Sequence, residues 1–244
     1  MKRVALLRAL VEGGLAPDTE YAQRLIDERC VTVNGAIALS GERLVAPHDN
    51  LLVRVQPAYV SRGGEKLAYA LEQFGISVDG RDALDVGAST GGFTDCLLQR
   101  GARSVVALDA GHNLLHEHLL QDSRVRVCDG VNIRTLEQPI DGAPFAVMVV
   151  DVSFISLRMI AGVLVRLISA HSDVIALVKP QFECTKIEAD QAGGVIRDPQ
   201  IHDRVLREVQ DSFTSVGIRT LGVVRSPITG HGGNVEFLLH ARLA

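Results

Sequence analysis

Hydrophobic positions along this chain change their period near residue 57. Before that point apolar residues fall at helical spacing, first at Val4, Leu7, Leu10 and Val11 and then at Ala22, Leu25 and Ile26. The stretch closes in the short β-like runs Val31-Thr32-Val33 and Leu51 to Val55. Two helices and a small sheet are therefore expected. Asn34-Gly35 is a strong tight-turn dipeptide, and Gln56-Pro57-Ala58-Tyr59 reads as a linker. These signals divide the chain into a first domain at 1–56, a linker at 57–60 and a second domain at 61–244.

From about residue 80 the rhythm becomes strand then helix. Apolar strands are predicted at Ala83 to Val86, Ser104 to Leu108, Val125 to Cys128, Phe145 to Val150 and Asp173 to Val178. Helical patterns fall at about 92–100, 113–121, 157–170 and 200–215. Two more apolar runs, Arg219 to Val224 and Val235 to His240, follow the last helix and predict an antiparallel finish. Seven strands in this order make an α/β protein with a doubly wound, mostly parallel sheet.

Composition narrows the class. At 244 residues and 47% hydrophobic, the chain can bury one substantial core with a small appended unit. No apolar run approaches the roughly 20 residues that cross a bilayer. Arg8 and Glu12 interrupt any signal-like stretch at the start, so a cytoplasmic protein is expected. Cys30, Cys96, Cys128 and Cys184 are scattered without a Cys-x-x-Cys pair, which favours buried thiols over a zinc ribbon or redox motif. The histidines, His112, His116 and His118 among them, show no clear metal spacing, and no metal is expected. A net charge of −4 argues against wholesale attraction to nucleic acid, so an RNA partner would need a local patch.

Ligands of doubly wound sheets bind beyond the carboxyl ends of the strands. Asp85, Asp109, Asp129, Asp151 and Lys179 all sit at or near those ends. After the first strand comes Asp85-Val86-Gly87-Ala88-Ser89-Thr90-Gly91-Gly92-Phe93, where glycines let backbone approach a ligand closely. Its spacing is neither the dinucleotide Gly-x-Gly-x-x-Gly nor a Walker loop, which disfavours NAD and ATP. Asp109 closes the second strand about 20 residues on, where a carboxylate takes the two hydroxyls of a ribose. A nucleoside-bearing cofactor without a pyrophosphate is indicated, and S-adenosylmethionine fits, with Asp129 a weaker candidate for the adenine. The alternative for Asp109 and Asp129 is turn or helix-cap chemistry.

Five motifs in order carry a family resemblance: Tyr59 to Leu67, Gly87 to Thr94, Asp151 to Leu157, Leu177 to Glu183 and Gly233 to Glu236. Together they closely resemble the TlyA, or haemolysin A, family over essentially the whole chain. The resemblance implies a Rossmann-like class I methyltransferase of FtsJ type behind an N-terminal α-L RNA-binding domain. It further implies 2′-O-methylation of cytidine ribose in ribosomal RNA of the small or large subunit, or both, with S-adenosylmethionine as methyl donor.

Lys66, Asp151, Lys179 and Glu236 match the family's Lys-Asp-Lys-Glu catalytic set position by position. Methyl transfer to a hydroxyl needs the oxygen aligned, close and relieved of its proton. Lys179 is the candidate base and Lys66 the neighbouring cation, with Asp151 and Glu236 balancing charge. Lys179 ends the apolar run Ile175 to Val178 and precedes Pro180, which argues against an ordinary surface lysine.

RNA contacts are expected from Lys2, Arg3, Arg8, Arg24 and Arg29 in the first domain, similar to the α-L motif, and from Arg62 in the second. Residues 1–56 hold seven Lys/Arg against seven Asp/Glu, so ordinary solvated helix charges are the competing reading. Phe154 and Phe182, just past two strand ends, are candidates to stack a flipped base, and either reads equally as core. Two other function classes compete: a membrane-active cytolysin, as the family name suggests, and a catalytically idle ribosome-assembly factor. Nothing basic and amphipathic enough for membrane insertion supports the first, and the complete tetrad argues against both.

Overall fold

The computed structural model describes residues 3–27, 29–53 and 58–244. They fall into two compact units, Met1–Pro57 and Ala58–Ala244. In the first, β1 (Val4–Ala5), α1 (Leu6–Glu12), α2 (Thr19–Asp27), β2 (Val31–Val33), β3 (Ala36–Ile37), β4 (Leu44–Val45) and β5 (Leu51–Val53) succeed one another. The strands form a three-stranded sheet of order β3-β2-β5 and a two-stranded pair β1-β4. Asn34 and Gly35, both at positive φ, make the turn that sequence placed between β2 and β3. Leu6, Leu10, Ala22, Leu25 and Ile26 pack with Val31 and Val33 in a small core of their own. Val55, at the end of one expected strand, lies outside the described residues.

The second unit is a three-layer α/β structure. Its elements are α3 (Gly63–Phe74), β6 (Asp82–Val86), α4 (Gly92–Gln99), β7 (Ser104–Asp109), α5 (Glu117–Leu120), β8 (Val125–Asp129), β9 (Phe145–Val150), α6 (Leu157–Leu164) and β10 (Ile168–Val178). Then follow α7 (Pro180–Glu183), α8 (Lys186–Gln191), α9 (Pro199–Ser215), β11 (Ile218–Arg225) and β12 (Phe237–Leu243). The sheet has seven strands in the order β11-β12-β10-β9-β6-β7-β8. β12 runs antiparallel to both its neighbours, and the strands from β10 to β8 are parallel.

Alternation along the strands assigns the two faces. Ala83, Val105, Ala107, Val147 and Val149 meet Leu67, Leu71 and Leu97 of α3 and α4. Leu84, Val106, Met148, Val150 and Ala176 meet Ile160 and Leu164 of α6 and Val209 and Phe213 of α9. Both faces are covered, so the strands read as continuous apolar runs. The chain leaves β6 toward β7 and β8, then returns to place β9 on the other side of β6. That reversal makes the carboxyl ends of β6 and β9 the topological switch point, where a ligand crevice opens.

Several boundaries differ from the sequence pattern. The helix expected at 113–121 shrinks to Glu117–Leu120, because Asn113 takes φ 55° and the His116 ring caps the helix by accepting from the His118 N–H. The helix expected at 157–170 ends at Leu164, and Ile168 already pairs with Phe145 as strand. Leu164, Leu167 and Ile168 suit a helix or a buried strand equally, so spacing alone misses that switch. Cys30 and Cys96 are buried, whereas Cys128 and Cys184 are half-buried. Burial pushes the Cys96 thiol up to about 11, which makes it inert at neutral pH. Among the described residues no helix is long and apolar enough to cross a membrane.

Candidate active site

Two adjoining cavities open beyond the carboxyl ends of β6, β7 and β9, and they share Gly87, Ser89, Asp151 and Ser153. The larger, about 600 Å³, is lined by Asp109 and by the apolar residues Leu114, Val131, Ile133 and Met159. That volume suits a nucleoside-sized ligand, since small-molecule sites span roughly 300–1,000 Å³. The smaller, about 290 Å³, is lined by Arg62, Lys66, Asp151, Ser153 and Lys179 together with the glycine loop.

The loop is shaped by the backbone it touches. Gly87 has φ 86°, and a Cβ there would stand 2.3 Å from the Asp151 carbonyl oxygen, so only glycine lets the β6 and β9 ends meet. Gly91, with φ 94°, precedes α4 and packs against the side chains of Leu115 and Leu119. Ala88, Ser89, Thr90, Gly92 and Phe93 line the smaller cavity, whereas Gly91 lines neither. Phe93 is also buried in the core under the loop.

The acidic residues divide by role. Asp109 accepts the Ser89 N–H at 2.8 Å and the Gly111 N–H at 2.7 Å, so it ties the two loops, and it also lines the larger cavity. Asp129 lines neither cavity; its carboxylate accepts the Asn113 N–H at 2.8 Å and holds the loop that carries Leu114. Asp85 also lines neither and is fully buried beneath the loop, where it accepts from the Thr94 hydroxyl at 2.7 Å. Burial above all, with the nearby charges of Asp151 and Asp109, pushes its carboxyl up to about 7.

Two lysine–carboxylate pairs complete the centre. Lys66 Nζ lies 2.5 Å from Glu236 Oε2, with both side chains largely buried. Lys179 Nζ lies 2.5 Å from Asp151 Oδ1, an ion pair outside hydrogen-bond angles, and donates to Ser153 Oγ at 2.9 Å. Lys66, Asp151 and Lys179 share one cavity, and Glu236 reaches it through Lys66. Sequence placed Lys66 as the cation beside Lys179; here each ammonium has a carboxylate of its own.

Arg62 is in the smaller cavity wall and Phe154 in the larger. Phe154 is 92% exposed at φ 64°, a conformation costly for a bulky side chain, and its ring lies 5.1 Å from that of Phe182. Phe182 is half-buried, with Lys179 Nζ 5.8 Å from its centroid. In the first unit Arg3, Arg8, Arg24 and Arg29 are all exposed. Arg8 pairs with Glu12 at 2.7 Å and Arg24 stacks over Tyr21, so both already have partners in their own helices. Lys2 lies outside the described residues. The wall residues Leu114, Val131 and Ile133 went unread in the sequence because apolar residues beside a strand end look like core, their one signal being closeness to Asp109 and Asp129; Met159, inside α6, gives no such signal.

A family model for FtsJ-like methyltransferases matches residues 59–243, which span the sheet, both cavities and all four residues of the paired centre. The chain belongs to the FtsJ-like methyltransferase family. Within that family it is 41% identical over 243 residues to the 16S/23S rRNA (cytidine-2′-O)-methyltransferase TlyA of Mycobacterium tuberculosis, covering 99% of this chain and 90% of that protein. It is 44% identical over 242 residues to YqxC of Bacillus subtilis, named as a candidate rRNA methyltransferase, covering 95% and 83%. A solved structure described as a candidate hemolysin from Streptococcus thermophilus superposes with a TM-score of 0.75 at 36% identity, covering all of this chain and 90% of that one. The family match and the seven-stranded, mostly parallel sheet agree with the α/β methyltransferase class expected from the resemblance.

Proposed function

We propose that this protein is an S-adenosylmethionine-dependent methyltransferase acting on the ribose 2′-hydroxyl of cytidine in ribosomal RNA. The observation that carries the reading is the pair of adjoining cavities joined at Asp151, one suited to a nucleoside and the other lined by two paired lysines. The larger is lined by a carboxylate at a strand end together with apolar side chains, the chemistry that a ribose diol and a purine ring require. The residues present therefore fit the cofactor. Asp109 would take its ribose, Leu114, Ile133 and Met159 its adenine, and Asp151 would face its cationic end. Bound there, S-adenosylmethionine supplies an electrophilic methyl group on a sulfonium.

The chain's own residues supply position and proton handling. Lys66, fixed by Glu236, orients the acceptor hydroxyl. Lys179 passes a proton to Asp151, 2.5 Å away, and with the lone pair so freed takes the hydroxyl proton. The Lys66–Glu236 pair lies largely out of bulk water, and the Lys179–Asp151 pair is partly buried at the cleft, where charge interactions are stronger than at the open surface. Arg62 stands at the mouth for a flanking phosphate. Phe154, held outward at a strained φ, offers a face on which an extruded base stacks. The first unit, with its exposed Arg3, Arg24 and Arg29, serves as the RNA-binding domain, and assembled ribosomal subunits rather than short RNA are the substrate. The test is transfer of label from S-adenosylmethionine to small and large ribosomal subunits that lack the modification, followed by nucleoside analysis. 2′-O-methylcytidine is the expected product; a folded, cofactor-binding protein that labels neither subunit would overturn the reading.

A further inference from the structure

Glu183 is a carboxylate only 2% exposed, and none of the chemistry above uses it. It ends α7, four residues after Lys179, yet its side chain turns back to the start of α6. Oε1 accepts the Leu157 N–H at 2.7 Å and Oε2 accepts the Ser156 hydroxyl at 2.5 Å. Arg158 closes the knot: its guanidinium lies 3.4 Å from Oε2 and donates to the Glu183 carbonyl at 2.6 Å. Burial pushes the Glu183 carboxyl up, against the pull of the Ser156 and Leu157 hydrogen bonds.

The two segments so tied are those that carry the reacting groups. One runs from Asp151 through Ser153 and Phe154 to Ser156; the other runs from Lys179 through Phe182 to Glu183. They meet at Lys179–Asp151, at Lys179–Ser153 and at the Phe154–Phe182 rings, and these three contacts are exposed to the cleft or placed for substrate. Glu183 supplies a fourth contact that is buried, multiply bonded and outside the cleft lining. A buried acceptor that caps a helix on the neighbouring strand's exit fixes the spacing of two loops better than exposed contacts can.

We propose that Glu183 is a positioning residue that sets Lys179 against Asp151 and Ser153 by locking the β9 exit to the β10 exit. The inference rests on the ribose-methylation reading and adds a residue to it. Losing the lock displaces reacting groups by fractions of an ångström to an ångström, and misplacement on that scale costs up to about 100-fold in rate.

The test measures kcat on ribosomal subunits and cofactor affinity by calorimetry for the unaltered protein, Glu183→Ala, Glu183→Gln and Ser156→Ala. Glu183→Ala is expected to lower kcat about 10- to 100-fold with cofactor affinity within about twofold. Glu183→Gln, which keeps an acceptor for the Leu157 N–H, should recover most of the rate, and Ser156→Ala should show a smaller loss of the same kind. Rates equal to the unaltered protein in both Glu183 variants would overturn the proposal. So would a fall in cofactor affinity that parallels the fall in rate, the mark of a merely structural role. If Glu183→Ala does not fold, Ser156→Ala decides: a kcat loss at constant cofactor affinity supports the lock, and an unchanged kcat refutes it. An unaltered protein that binds cofactor but methylates neither subunit would instead refute the ribose-methylation reading, and the positioning role with it.

Discussion

Lys66 pairs with a carboxylate 170 residues further along the chain, and the pair is nearly closed to water. Buried pairs of this kind add little net stability but punish the loss of one partner, because the other is left as an uncompensated buried charge. Lys66→Met should therefore destabilise the fold by about 3–5 kcal/mol, while Lys66→Met with Glu236→Leu should regain most of that loss. Denaturant melts measure both, and the double variant should stay inactive, which separates folding from chemistry. Equal melts for single and double variants would remove Glu236 as the partner. Asp85 makes a second prediction. Its carboxyl sits at about 7 in the fold against an ordinary 3.8, so the folded chain binds more protons across that window. Its stability contribution is full below about pH 4 and is lost as pH rises toward 7, at about 1.4 kcal/mol per unit. Asp85→Asn can still accept from Thr94 and does not titrate, so its melting temperature should climb relative to the unaltered protein between pH 4 and 7. Parallel curves would contradict that origin of the shift.

Among the elements, the meeting of the β6 and β9 ends at Gly87 decides whether both cavities exist. Gly87→Ala puts a methyl against the Asp151 carbonyl at a φ that costs about 1–3 kcal/mol by itself for a non-glycine residue. Calorimetry should show cofactor affinity abolished or lowered at least about tenfold, together with a lower melting temperature; a variant that binds as before would refute the close approach. The strands were legible in the sequence to within a residue or two, because a sheet covered on both faces demands uninterrupted apolar runs such as Phe145 to Val150. The exceptions were the β10 start, where Ile168 continues a helical spacing, the β12 end, which runs to Leu243 past the expected His240, and the two-residue strands β1 and β4, too short for any period to show, with Val4 in β1 rather than in the helical run expected there. Helix α3 was harder to read, since Gly63 and Gly64 open it and suggest a turn. Its second glycine is explained by packing, for a Cβ on Gly64 would overlap the Tyr59 ring. The motifs of the proposed centre stood out because charged residues interrupt buried runs, as Lys179 does after Val178. Glu183 was not, because nothing in local spacing shows that its side chain reaches back to residue 157.

On the scale of the whole molecule, a chain of net charge −4 must meet RNA through local clusters. If the first unit contributes through Arg24 and Arg29, replacing both with Gln should weaken subunit binding without changing turnover at saturation. It should also reduce the slope of log affinity against log salt by about 0.7–0.9 for each phosphate that is no longer neutralised. An unchanged slope would assign these arginines to ordinary helix solvation. The measurement that bears most directly on the account is the single-turnover rate of Lys179→Ala on unmodified ribosomal subunits, taken beside its cofactor dissociation constant. The rate of the variant should be at least about 100-fold lower, with cofactor binding unchanged. A variant that turns over like the unaltered protein would contradict the assignment of Lys179 and Asp151 as the reacting centre.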